Sequence, residues 1–471
     1  MKSLKEIGVR EVEEFIGIRG WASSTLGIGG VIKLHVDDFV VDEVLSNGIK
    51  SHDFLVPPHM IPGAGDQILC VLEKRNRDTL LCLSEIAASI GVGPASIGVC
   101  GLKDKRAVTT QFVTIPLKIR EAAERVSKII LRNARLIPVK RVSRPVFPHM
   151  LARNEFKVRI RGVKHSPERA AEMVAETLTS LRATGIPNFF GHQRFGVRRP
   201  INHVVGRLIV KGRLHDAVKT FIASPSRLEA LETRLARERV QTQWNRGGAA
   251  DQLPPQLEYE RRALASLDER KEDYVEAVRA LPLRLRKLLV QSYSSYIFNQ
   301  TLSELLLTGD HLNEPVPGDL VAETDLYGLV KPKFLNVNQY NIQNIRERVA
   351  KGRLVVVLPV PGYQVEIPKG PKCELMARIL DQEKVSLEDF NTSCLPEART
   401  RGAYRPLCLS AAAIKLLSTT HDNETCTVAL HLEVSRGGYA TSVLREFMKS
   451  ASPLAYDGEP FDRSQRTVES S

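Results

Sequence analysis

The densest gathering of chemistry-bearing residues in this 471-residue chain is Gly101-Leu102-Lys103-Asp104-Lys105-Arg106-Ala107-Val108-Thr109-Thr110-Gln111. One carboxylate stands among three cations. Opposite charges within a few ångströms favour the ionised carboxylate, so Asp104 would be a poor general acid and a good base or nucleophile. Short apolar runs flank the stretch, Ile97 to Cys100 before it and Phe112 to Ile115 after it. The spacing therefore predicts strand, loop, strand, with Asp104 at the turn. A solvated loop whose charges compensate one another has the same pattern, and these residues alone do not separate the two.

The elements that must position this loop can be read on either side of it. Val31 to Val36 and Phe39 to Val44 read as strands, with Lys33 on or beside the first, and Ile68 to Lys74 is a third. A helix is expected from an Asp78 N-cap through Ile90. The segment Ile119 to Lys164 carries 13 Lys or Arg against three acidic residues, the most basic part of the chain. Within it, Arg153-Asn154-Glu155-Phe156-Lys157-Val158-Arg159-Ile160-Arg161 alternates apolar and cationic residues. One face of such a strand packs while the other offers arginine and lysine to phosphates.

An amphipathic helix from about Ser166 to Ala183 leads to Gly185 through Arg199. There Phe189, Phe190 and Phe195 interleave with Arg194, Arg198, Arg199, glycines and amides. Rings and guanidiniums together suit an unstacked base and its phosphates. The same composition suits a glycine-punctuated connection between domains, and both readings stand. Residues 203–245 and 258–307 are helical in pattern, joined by Asn245 to Ala250, and the aromatic spacing in Gln291 to Gln300 reads as helix core. Strands are expected from 315 to 370, a helix from Glu374 to Glu383, and a strand from Thr425 to Val434 running into a final helix. Strands and helices do not alternate regularly, which points to an α+β fold.

The net charge of +13 favours a polyanionic partner, nucleic acid first. No apolar run reaches the roughly 18–20 residues of a membrane-spanning helix, and the N-terminus lacks the apolar core of a signal peptide. The seven cysteines are scattered with no C-x-x-C pair, and the 11 histidines show no H-E-x-x-H spacing. Neither a disulfide framework nor a metal site is expected, and a reducing cytoplasm is.

Taken together, these strings resemble the TruD family of tRNA pseudouridine synthases over nearly the whole chain. The resemblance rests on Lys33 with Asp38-Phe39-Val40-Val41-Asp42-Glu43, on Gly101 to Gln111, on Asn154-Glu155-Phe156, on Pro187-Asn188-Phe189-Phe190-Gly191-His192-Gln193-Arg194-Phe195-Gly196, and on Gly437-Gly438-Tyr439-Ala440-Thr441. It implies Asp104 as the catalytic aspartate and Lys33 as its cationic partner. Phe156 would stack on the target base, and Asn154 would help hold that site. Lys103, Arg194, Phe195 and Arg159 are the further residues expected at the RNA. This sequence departs from the family pattern at Arg153 (often glycine), Phe189 (often tyrosine) and Gly438 (often serine).

The resemblance also implies an α+β fold with a pseudouridine-synthase-like mixed-sheet catalytic core and a large inserted α+β domain. The expected division is 1–184 for the first part of the core, 185–423 for the insertion, 424–450 for the rest of the core and 451–471 for a loose tail. The implied activity is isomerisation of uridine, at position 13 of tRNA, without a cofactor, by a monomer. Two other functions fit parts of the pattern. A non-catalytic RNA-binding protein explains charge and rings, but not Asp104 and Lys33 together. A methyltransferase would need a glycine-rich cofactor loop between strand and helix, and none is present.

Overall fold

The larger sheet of the computed structural model, which describes residues 11–56, 61–116, 125–126, 128–244, 253–269, 273–309, 311–325 and 329–459, has eight strands. Before the insertion come β1 (Phe39–Leu45), β2 (Gln67–Arg75), β3 (Gly98–Val99), β4 (Val108–Pro116), β5 (Ala134–Val142) and β6 (Leu151–Val163). The insertion carries β7 (Ile186–Pro187), β8 (Leu320–Thr324), β9 (Val330–Asn336), β10 (Leu354–Val360), β11 (Ala403–Pro406) and β12 (Cys408–Leu409). After it, β13 (Lys415–Asp422) and β14 (Thr425–Ser435) return to the larger sheet. Its order is β13-β14-β6-β1-β4-β2-β5, with β3 added beside β4.

Among the strands of the described residues, β1 and β4 alone pair in parallel, Val40 facing Val108, so the loop leading into β4 lies near the start of β1. Helices Pro167–Thr184 and Ala440–Met448 cover one face of the sheet, and a common core joins Phe156, Val158 and Ile160 to Met173, Val174, Leu444 and Phe447. Helix Thr79–Ile90 starts as expected: the Asp78 side chain accepts from the N–H groups of Leu80 and Leu81, and Gly91 ends it at φ 73°. Its apolar face packs on Ile68, Cys70 and Leu72 of β2.

In the insertion, β11-β10-β8-β9 form a second, antiparallel sheet. A 25-residue helix, Leu283–Leu307, runs through its core. Tyr293, Tyr296 and Phe298 of that helix are buried, as their spacing predicts. Helix Asn202–Val210 lies against it so closely that a Cβ on Gly206 would come 2.0 Å from the Leu289 carbonyl oxygen.

Three expected boundaries are corrected. β13 pairs with β14 from Lys415 to Asp422, so the core resumes before residue 423. Its largely exposed Ser418-Thr419-Thr420-His421-Asp422 run carries little apolar signal because it is an edge strand. The segment expected to be loose from 451 is packed through 459: Ala455 and Tyr456 are buried, and Ala455 O accepts from Ile32 N at 3.0 Å. Residues 460–471, like the loop at 245–250, lie outside the described residues. Finally, Ile16 and Ile18 belong to the insertion's core rather than to the first part of the catalytic core.

Candidate active site

Alternation along β1 puts Phe39, Val41 and Glu43 on one face. Across the antiparallel pair, Phe156 stands opposite Val41, and Asn154 opposite Glu43. The Phe39 and Phe156 rings meet at 5.5 Å between centroids, tilted 59°. Lys33 enters above this aromatic floor, its Nζ 4.3 Å from the Phe39 ring centroid. The same Nζ donates to Asp104 Oδ1 at 3.0 Å. The Lys33 side chain is 3% exposed and that of Asp104 38%. A buried ammonium thus holds a carboxylate whose other side is open.

Two devices keep Lys33 in place. Its backbone is left-handed, φ 58°, a conformation that costs a non-glycine residue strain and has to be held by its surroundings. The C-terminal segment supplies the hold. Gly458, itself at φ 89°, passes so close that a Cβ there would lie 2.4 Å from the Lys33 carbonyl oxygen and 2.8 Å from Arg106 Cζ. Arg106 donates to Leu34 O at 3.0 Å and Asp457 O at 3.4 Å, tying the Asp104 loop to the same segment. Burial raises the Asp457 carboxyl above its usual range, against the nearby charges of Lys33 and Arg198.

The loop itself is fastened from beneath. Lys74, on β2 and fully buried, donates from Nζ to the backbone carbonyls of Asp104 (2.6 Å) and Lys103 (3.4 Å). Burial lowers its pKa to about 8, with Asp104 pulling the other way. Gln111 Nε2 donates to Gly101 O at 3.1 Å, and Lys103 N donates to Thr79 Oγ1 at 3.3 Å. Each fastener acts on the backbone, so Asp104 is presented by a rigid frame rather than a free loop.

The expected site residues divide in two. Asp104, Lys33, Phe156 and Asn154 gather on one face, and the Asn154 Oδ1 is buried with no hydrogen-bond partner. Lys103 does not offer its charge to a ligand; its ammonium is buried in an ion pair with Glu43, whose other oxygen accepts from Phe112 N at 2.8 Å. Phe195 is corrected too: fully buried, it sits edge-on to His203 in the insertion's core at 5.4 Å and cannot stack on a base. Phe189 and Phe190 are likewise buried. Arg159 is exposed on β6 and donates to Asp37 O at 2.9 Å. Its neighbours Arg153 and Arg161 are taken up by Glu155, Glu433, Asp38 and Asp422, leaving Lys157 and Arg159 as the outward cations of that strand. Arg194 lies apart from Asp104, on a cavity between insertion and core.

Sequence reasoning missed Lys74, Glu43 as the partner of Lys103, and Gly458. Lys74 ends an apolar strand as an ordinary solvated lysine does, and only the pairing of β2 with β4, Lys74 facing Thr109, places it under the loop.

The model of the family tRNA pseudouridine synthase D (TruD) matches residues 15–447 of the chain. A Methanosarcina mazei protein named "Probable tRNA pseudouridine synthase D" is 32% identical over 452 residues, covering 95% of this chain and 99% of that protein. One of the same name from Methanopyrus kandleri is 33% identical over 396 residues, 83% of this chain and 88% of that one. A crystal structure of a TruD protein from Methanosarcina mazei superposes with a TM-score of 0.77 at 31% identity, covering 95% of this chain and all of that one.

Proposed function

The chain belongs to the TruD family of tRNA pseudouridine synthases, isomerases that act on tRNA, and from that membership we propose that it converts uridine 13 of tRNA to pseudouridine, with Asp104 as the catalytic carboxylate and no cofactor. The observation that carries the reading is the Lys33–Asp104 pair, 3.0 Å apart, set beside the Phe39–Phe156 floor.

The reaction breaks the bond from uracil N1 to the ribose C1′, turns the base and joins its C5 to the same carbon. The C5 proton is lost and N1 gains one, so atoms and electrons balance within the nucleotide. The reaction itself calls for one ionised carboxylate within reach of the sugar and base. Lys33 pairs with Asp104 from the protein side, which leaves its open side for the substrate. The target must leave its stack, at a cost of a few kcal/mol, and Phe156, though only 7% exposed, is the ring of the floor beside the Lys33–Asp104 pair that would replace the stack. Asn154 Oδ1, buried and unpartnered in the protein, would accept from an N–H group of the extruded base. Lys157 and Arg159 face outward for phosphates, which makes binding salt-sensitive. One chain supplies all these residues, so one copy per tRNA is the expected stoichiometry.

The test is incubation of the full chain with an unmodified tRNA transcript, without added cofactor or metal, followed by carbodiimide-adduct primer extension. A stop at uridine 13 is expected. A stop only at another uridine would overturn the position, and dependence on an added cofactor would overturn the cofactor-free route.

A further inference from the structure

The insertion's buried arginines fall into two kinds. Arg237 pairs with Glu229 at 3.0 Å and Glu260 at 2.8 Å, and Arg199 lies 3.5 Å from the same Glu260. Arg405 and Arg194 differ. Arg405 donates to Asn188 O at 2.9 Å, Asn188 Oδ1 at 2.5 Å and Gly437 O at 2.8 Å, and stands 4.1 Å over the Phe190 ring. Arg194 donates to Ser295 Oγ and Gln291 Oε1, both at 3.2 Å. All of these partners are neutral. Among the described residues no carboxylate pairs with either guanidinium, and each charge lies close enough to the other for Arg194 to oppose that of Arg405. Burial lowers the pKa of both, Arg405 to about 10.

Both line one cavity of about 620 Å³ between the insertion and the end of β14. Ser294 lines it as well, buried to 2% exposure, and its hydroxyl has no hydrogen-bond partner. Arg436 and Lys331 add two further cations to the wall. Positive charge taken out of water without a compensating anion is costly, and an arriving anion would offset that cost. The cavity's Ser435 stands across the strand pair from Arg153, and Val434 from Asn154. The cavity's wall therefore reaches the strand position next to the one paired with Asn154, where side chains turn to the other face of the sheet.

We propose that this cavity is a phosphate subsite, taking a backbone phosphodiester of the RNA that lies away from the target uridine, with Arg194 and Ser294 as its donors. The inference rests on the reading that RNA is the substrate, but not on Asp104 chemistry.

The experiment measures equilibrium binding of unmodified tRNA transcript across a salt series, with Asp104→Asn in the background so that no turnover intervenes. Arg194→Gln should weaken binding roughly tenfold and lower the slope of log K against log salt by about 0.7, the share of one single-strand phosphate contact. Arg194→Lys should restore most of the slope. Ser294→Asp places a carboxylate among the guanidiniums; it should raise the melting temperature and weaken tRNA binding, and it remains informative if Arg194→Gln fails to fold. An unchanged slope and affinity in Arg194→Gln, or a stabilised Ser294→Asp that binds tRNA as before, would overturn the subsite. A melting-temperature rise with inorganic phosphate that Arg194→Gln abolishes, alongside an unaltered tRNA slope, would also overturn it and assign the site to a free anion. A changed slope together with a wild-type chain that forms no pseudouridine would uphold the subsite and sink only the isomerase reading.

Discussion

Around Asp104 the buried and half-buried cations meet oxygens of the chain, two of them on carboxylates, whereas around Arg194 and Arg405 the oxygens are neutral. Lys33 has Asp104, Lys103 has Glu43, and Lys74 and Arg106 hold backbone carbonyls. The first arrangement is internally compensated and rigid, and it leaves one partner, Asp104, half open to the outside. The second is uncompensated and closed against the protein's own acids. The difference separates two tasks that a basic protein has to perform on RNA. A reacting carboxylate needs its counter-charges already in place, because reorganisation at the moment of reaction costs rate. A binding surface needs its counter-charge to arrive with the ligand.

Substitutions can break this comparison at either end. Lys33→Met removes the compensating charge but keeps much of the volume, and we expect kcat to fall about 100- to 1,000-fold, with tRNA affinity within about twofold of wild type. Equal losses in both would make Lys33 a phosphate contact and place it with the uncompensated group. Phe156→Ala should cost about 1–3 kcal/mol of base stacking, or roughly five- to 160-fold in kcat/KM. Steady-state kinetics on the transcript check both.

Lys74 sharpens the comparison through pH. Its folded pKa, about 8, lies below the ordinary 10.5. Between these values the unfolded chain holds a proton that the folded chain has given up, so this group makes stability rise with pH across that window. The site meanwhile loses a positive charge beneath Asp104. We expect turnover to decline with a midpoint near pH 8, and Lys74→Met to be down roughly tenfold at pH 7 with that limb gone, the scale of one charge-assisted hydrogen bond. A pH–rate profile of the pair decides it. The smallest effect on RNA belongs to Phe195→Ala, which should lower stability by about 3–5 kcal/mol and leave the folded protein's tRNA affinity unchanged, read by denaturant titration beside binding.

The two long strings that carried the family resemblance were not equally legible in function. Gly101 to Gln111 forms the loop between two strands that its sequence predicts, but its neighbouring cations go elsewhere: Lys103 pairs with Glu43, Arg106 holds backbone carbonyls, and the partner of Asp104 is Lys33, from outside the string. Pro187 to Gly196 read equally as a stacking surface and as a connection between domains, and its three buried phenylalanines fit the second. Composition cannot distinguish a ring that stacks on a base from one that stacks on the chain. The long-range partners were hidden for the same reason. Glu43 and Lys103 are sixty positions apart, and Gly458 reaches Lys33 from the far end of the chain. The helices were largely readable through their caps and periodicity, as at Asp78 and Ser166. The edge strand β13 was not, since half-solvated polar residues carry no alternation to read.

The most direct measurement is the single-turnover rate of Asp104→Asn on an unmodified tRNA transcript, taken beside its equilibrium binding. The expected result is a loss of at least about 10,000-fold in pseudouridine formation with tRNA affinity unchanged within about twofold. Pseudouridine formed at close to the wild-type rate would contradict the assignment of Asp104 as the reacting carboxylate.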